Sequence, residues 1–182
     1  MNKNVYKILT MTAVFLLALS GCGKSKTFEL QSTAFKNDER IPDKYYYGTG
    51  RQNISLPLNW VNPPKDTKSF ALFIYNHNHR VNWAVVNIPA GCTSIAENAS
   101  GNNMPDGSIE MTNITRTIGY SGMEPPGQRI QSHQYFATVY ALNTDRINIS
   151  EPDVYISFPD LERMLDGKII AQADITGHAQ LE

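Results

Sequence analysis

The chain predicts an all-β sandwich with one helical attachment near its C-terminus, and three observations carry that prediction. Continuous apolar runs of strand length recur at residues 70–75, 83–88 and 135–142, each rich in aromatic and β-branched side chains that fit a buried pleated surface. Proline and glycine turns separate the runs, at Asn62-Pro63-Pro64, Pro105-Asp106-Gly107 and Glu124-Pro125-Pro126-Gly127. One stretch alone has convincing helical spacing. Within residues 159–166, Leu161, Met164 and Leu165 share a face and Gly167 offers a stop, after which residues 168–175 return to strand.

The N-terminus has a different character. Lys3 and Lys7 open it, Ile8 to Leu19 supply an apolar stretch, and small residues lead into Cys22. That order is the order of a secretory leader, too short to span a bilayer that needs ~20 apolar residues. A buried helix that happens to end in cysteine is the other reading. Leu19-Ser20-Gly21-Cys22 resembles the bacterial lipobox, in which the cysteine is acylated and becomes the mature N-terminus. The expected organisation is therefore a leader over 1–21, a lipidated Cys22 with a polar tether and lead-in over 22–45, and the sandwich over 46–182. This places the domain in a bacterial cell envelope, outside the cytoplasmic membrane. Gly23 is not the aspartate that signals inner-membrane retention, which favours the outer membrane in a two-membrane cell.

Composition narrows the function classes. Removing the leader leaves 161 residues, enough for one domain with a core that needs no disulfides. Lys3 and Lys7 leave with it, so 14 basic residues face 17 acidic ones and no basic run exists. Nucleic acid and polybasic membrane attachment are both disfavoured, and anchoring rests on acyl chains worth ~0.8 kcal/mol per buried methylene. Cys92, the second of two cysteines, is expected unpaired after the Pro89-Ala90-Gly91 turn, as a half-buried small residue rather than a reactive thiol. Asn53, Asn98, Asn113 and Asn148 begin acceptor-like triplets that read as chance in an Asn-rich chain.

Four further segments read together: 57–60 with Pro64 and 67–72, then 82–89, then 119–127 leading to His133-Gln134-Tyr135, then 165–177. In this order they resemble the phosphatidylethanolamine-binding protein family, also called Raf-kinase-inhibitor-like, in its bacterial branch, over roughly residues 46–179. The resemblance implies two antiparallel sheets with Greek-key connections. It also implies a small surface pocket for anions, including the phosphate of phospholipid head groups, and no cofactor.

Carried over, the resemblance assigns the pocket to His133 and Tyr135, with Gly122, Pro125 and Pro126 in the adjoining loop and Tyr120 before it. His133 and Tyr135 sit at i and i+2 and project to one face of a strand. By themselves they also fit a core histidine beside a packed tyrosine. Asn76 stands where the family has a loop aspartate, and Asn82, before Trp83, where it has the pocket histidine. Both amides are expected as neutral donors, weaker per bond than charged ones. Glu124 opposes an anion: at ~4 Å and an effective dielectric near 20 its repulsion is on the order of 4 kcal/mol.

His77 and His79 alternate as strand neighbours do, so a His/His/carboxylate metal site is an alternative to two solvated loop histidines. No nucleophile elbow, phosphate-binding loop or zinc-protease motif occurs, so the expectation is a non-enzymatic binding module for a phosphate or phospholipid head group. The alternative is a protein-interaction or inhibitor module, its partner bound by the pocket rim and residues 97–110.

Overall fold

The three apolar runs form the three central strands of the larger of two sheets. The computed structural model describes residues 26–124 and 132–180; Cys22 with the leader, and Pro125 and Pro126, lie outside the described residues. The strands are β1 (Glu29–Gln31), β2 (Glu39–Arg40), β3 (Leu58–Val61), β4 (Ser69–Asn76), β5 (Val81–Pro89), β6 (Ser94–Ile95), β7 (Ile109–Glu110), β8 (Ser132–Leu142) and β9 (Ile169–Gln180). The helix α1 (Phe158–Leu165) joins β8 to β9. One sheet runs β1-β3-β6 and the other β2-β9-β8-β4-β5-β7. The predicted class, two sheets with one short helix, is the observed one.

Burial on both faces explains why the central strands are apolar without alternation. Phe70, Leu72 and Ile74 of β4 face the smaller sheet, joining Leu58 and Trp60 of β3 in one core. Ala71 and Phe73 of the same strand face the other way, into a second core closed by Phe158, Leu161 and Leu165 of α1. Each of those helix side chains contributes ~1.5–3 kcal/mol by leaving water. Gly167, at φ +68°, supplies the left-handed turn that ends the helix.

Two expectations need correction. The larger sheet is not wholly antiparallel, because β2 runs parallel to β9, with Glu39 opposite Gly177. A two-residue edge strand that arrives from the opposite sheet has no hairpin to set its direction. The packed domain also starts before residue 46. β1 pairs with β3, and Leu30, Phe35, Ile41 and Tyr45 are buried. A Cβ on Gly177 would lie 2.6 Å from Ile41 and 2.7 Å from Phe35, so this segment packs tightly over β9. Its apolar residues are too widely spaced to form a periodic pattern, which is why the stretch reads as a lead-in.

Several tyrosines complete the first core, among them Tyr45, Tyr120 and Tyr135. Burial is the main cause that pushes the phenols of Tyr45 and Tyr135 up to about 12, and that of Tyr120 upward as well. Below pH 10 these phenols are neutral in folded and unfolded chains alike. Between pH 10 and about 12 the unfolded chain releases protons that the folded chain keeps, so stability falls as pH rises. Urea midpoints measured from pH 8 to 12 are expected to hold to about pH 10 and then to drop; a midpoint flat to pH 12 would contradict this account.

Candidate functional site

A cavity of about 200 Å³ opens where the β4–β5 hairpin tip, residues 114–115, the segment 121–124 and β8 converge. Its lining includes Asn76, Arg80, Asn82, Ser121, Gly122 and Tyr135, with Tyr47, Thr115 and Glu124 among the rest. The volume is below the ~300–1,000 Å³ of pockets for drug-sized ligands, so it suits a small group.

The hairpin is built by Asn76. Its Oδ1 accepts N–H bonds from Asn78 at 2.9 Å and Arg80 at 3.1 Å, and its carbonyl accepts from the His79 amide at 2.8 Å. His79 takes φ +57°, the left-handed residue of a three-residue hairpin loop. This tight loop is what carries Arg80 to the cavity. It also separates the two histidines: the His77 ring lies 5.7 Å from the His133 ring, whereas His79 packs 4.9 Å from Phe158. They do not converge on one ion, and among the described residues no group of three metal-ligating side chains is placed to hold one.

Asn82 is 4% exposed, and both of its amide protons are engaged, donating to the carbonyls of Ser121 at 3.1 Å and Gly122 at 3.0 Å. Since both partners are acceptors, the amide cannot be flipped. Its Oδ1 is buried and has no hydrogen-bond partner. Asn82 therefore spends both of its donors on the protein and has none left for a ligand, unlike the neutral donor expected from the sequence.

The loop amides are engaged as well. The N–H of Ser121 donates to the Asn82 carbonyl at 2.8 Å, that of Gly122 to Asn53 Oδ1 at 2.6 Å and that of Met123 to the Tyr45 carbonyl at 3.2 Å. The Glu124 N–H donates to the Tyr135 hydroxyl at 2.8 Å, and that hydroxyl donates back to the Glu124 carbonyl at 3.2 Å. No amide of residues 121–124 is therefore left to meet an anion. His133 stands outside the cavity lining, with its Nδ1 3.2 Å from the Glu124 carbonyl oxygen. It helps to hold the rim in place.

Asn76, Asn82, Gly122 and Tyr135 are thus brought together, while His133 meets the carbonyl of Glu124 beside them. Pro125 and Pro126 lie outside the described residues. Arg80, Ser121, Thr115 and Tyr47 were missed by sequence reasoning. Arg80 had a signal, since it follows the noted hairpin histidines; the others sit in loops whose direction no local pattern reveals.

Behind the cavity, Glu110 ties three elements together. Its Oε1 accepts from Trp83 Nε1 at 2.7 Å and Ser100 Oγ at 2.5 Å, and its Oε2 accepts from the Gly101 N–H at 2.8 Å. Ser100 Oγ in turn accepts the Tyr120 N–H at 2.8 Å, which fixes the approach to Gly122. Cys92, half-buried and unpaired, plays no part; its thiol points to the Ser94 carbonyl at 3.0 Å.

A β-sandwich with a small polar cavity beside its hairpin tip is the class of binding domain that this fold and site define. The chain belongs to the phosphatidylethanolamine-binding protein family, whose profile matches residues 31–180. It is 31% identical over 158 residues to a UPF0098 protein of Methanothermobacter thermautotrophicus, covering 81% of this chain and 95% of that one. The UPF0098 protein YbcL of Escherichia coli is 29% identical over 181 residues, covering 93% and 96% respectively. The crystal structure of E. coli YbcL, described as a new member of the mammalian family, superposes with a TM-score of 0.76 at 30% identity, over 85% of this chain and 99% of that chain.

The need for glycine at position 122 follows from backbone packing. A Cβ there would lie 2.4 Å from the Tyr45 carbonyl oxygen and 2.6 Å from Tyr46 C and Tyr47 N. Those are main-chain atoms that cannot rotate away. Gly122→Ala is expected to cost ~3 kcal/mol, the upper part of the overpacking range, read as a lower urea midpoint. An unchanged midpoint would mean that the two segments are not held so closely.

Proposed function

We propose that this domain is a lipid-anchored, non-enzymatic binding module whose cavity holds a small anionic or polar group, a phosphate or a phospholipid head group. The observation that carries the reading is Arg80. It is the one cationic side chain in the cavity lining among the described residues, and no ion pair there neutralises it. The Ser121 hydroxyl, which makes no hydrogen bond among the described residues, adds a neutral donor beside it. A guanidinium presents its donors in a planar fork that matches the oxygens of a phosphate. Glu124 at the rim works against a second negative charge and favours a ligand that is compact or carries a cationic arm.

Binding of inorganic phosphate, followed by calorimetry, tests this. Arg80→Ala is expected to weaken it roughly 10- to 100-fold, from ~1.5–3 kcal/mol for hydrogen bonds to charged groups. Unchanged affinity would remove the anion reading and direct the search to a protein partner at the rim and at residues 97–110.

Anchoring belongs to the same proposal, supported by the order of charge, apolar run and Leu19-Ser20-Gly21-Cys22. Cys22→Ser in the full chain is expected to abolish incorporation of labelled fatty acid and to move the protein out of the membrane fraction. Retained label would place the acyl group elsewhere.

A further inference from the structure

We propose that the anchor keeps the Arg80 cavity turned away from the bilayer that carries it, so that the phosphate group the cavity takes comes from solution and not from a head group of that bilayer. This rests on both readings above, acylation at Cys22 and an anion at Arg80, and adds the source of the ligand.

Chain length sets the orientation. β4 runs from one end of the sandwich to the other, and its two ends carry different things. At its N-terminal end the chain enters the fold. The Phe28 ring lies 6.4 Å from that of Phe70, and the Thr27 carbonyl accepts from Asn62 Nδ2 at 3.0 Å. β1 is antiparallel to β3, with Glu29 opposite Val61, so the chain before Glu29 lies beside the 62–68 turn that leads into β4. Lys26 accordingly shares a surface groove with Phe28, Asn62, Pro63, Pro64 and Lys65. At the C-terminal end of β4 stand Asn76 and the hairpin loop that brings in Arg80, and there the cavity lies. The strand from Phe70 to Asn76 rises ~20 Å at ~3.3 Å per residue.

Acyl chains in a bilayer would hold Cys22 at the lipid surface. The chain from Cys22 to Lys26 spans at most ~14 Å, even fully extended. Setting the cavity end on that surface would raise Lys26 ~20 Å or more above it, which the tether cannot reach. With the 62–68 end towards the lipid, the same tether has length to spare. Charge does not decide the matter, since Lys26, Lys65 and Lys68 at this end stand with Glu29 and Asp66.

Fluorescence quenching on the acylated full chain, reconstituted in phosphatidylcholine vesicles containing a lipid with a nitroxide-labelled head group, tests the orientation. Lys65→Cys and Asn78→Cys, each combined with Cys92→Ser, place a bimane label at one end or the other, on residues exposed in the fold. The label at position 65 is expected to be strongly quenched and that at position 78 little. Equal quenching, or stronger quenching at 78, overturns the inference. Inserting about twelve Gly/Ser residues after Lys24 raises the limit of reach to ~50 Å and is expected to lessen the contrast. A contrast left unaltered overturns the tether as its cause. Protein that fails to float with the vesicles overturns the anchoring reading, and this inference with it.

Phosphate calorimetry then tests the source of the ligand. Head groups within reach of the cavity would compete at ~mM effective concentration. The anchored protein on vesicles is expected to bind inorganic phosphate as tightly as the Cys22→Ser protein free in solution. An affinity about tenfold lower on vesicles would show lipid entering the cavity and overturns the inference. No phosphate binding by either form overturns the anion reading and the assigned source, while the quenching contrast still reports the orientation.

Discussion

The side-chain amide of Asn82 reaches from β5 across to the 121–124 segment and holds the carbonyls of Ser121 and Gly122 with both of its protons. That clamp joins a strand of the central sheet to the loop that closes the cavity, and much of the local geometry is arranged around it. Gly122, held there, comes so near the backbone of residues 45–47 that no side chain fits, and its own N–H reaches Asn53. Met123 then bridges to Tyr46, and Glu124 meets Tyr135. A buried amide with both protons satisfied by carbonyls is a strong local constraint, because releasing it strands two acceptors at once.

The clamp has a consequence for recognition. In the family pattern inferred from the sequence, the position of Asn82 holds a histidine in a pocket that takes an anion. Here the amides of residues 121–124 are all used within the protein, and the histidine position holds an asparagine whose two amide protons are also spent on the protein. The cation in the lining, among the described residues, is Arg80, carried in by the short hairpin that Asn76 organises.

The strands were legible because burial on two faces leaves an unmistakable mark: residues 70–75, 83–88 and 135–142 lie within β4, β5 and β8. The helix was legible because its apolar face recurs at helical spacing and ends at a glycine. The pairing of Asn76, Asn82, Gly122 and Tyr135 came from the resemblance, and the structure does gather them. What local pattern could not show was the state of their hydrogen bonds. Whether Asn82 offers a donor or an acceptor depends on carbonyls 39 and 40 residues away. Whether the Gly122 amide is free depends on Asn53, 69 residues away. The surroundings of His133 were hidden for the same reason, since its neighbour is the Glu124 backbone, set by the loop's path and not by the strand's alternation.

By itself the sequence determined the sandwich class, the central strands, the late helix and the small residues at the closing loop, because each depends on periodicity or backbone freedom that a short window displays. Tertiary structure alone decided that residues 29–45 belong to the packed domain and that Arg80 reaches the cavity. It also decided that both amide protons of Asn82 are spent on the carbonyls of Ser121 and Gly122. Those outcomes depend on which groups meet across long separations in the chain, and hydrogen-bond direction at a buried amide is set by the partner it meets, not by the residue type.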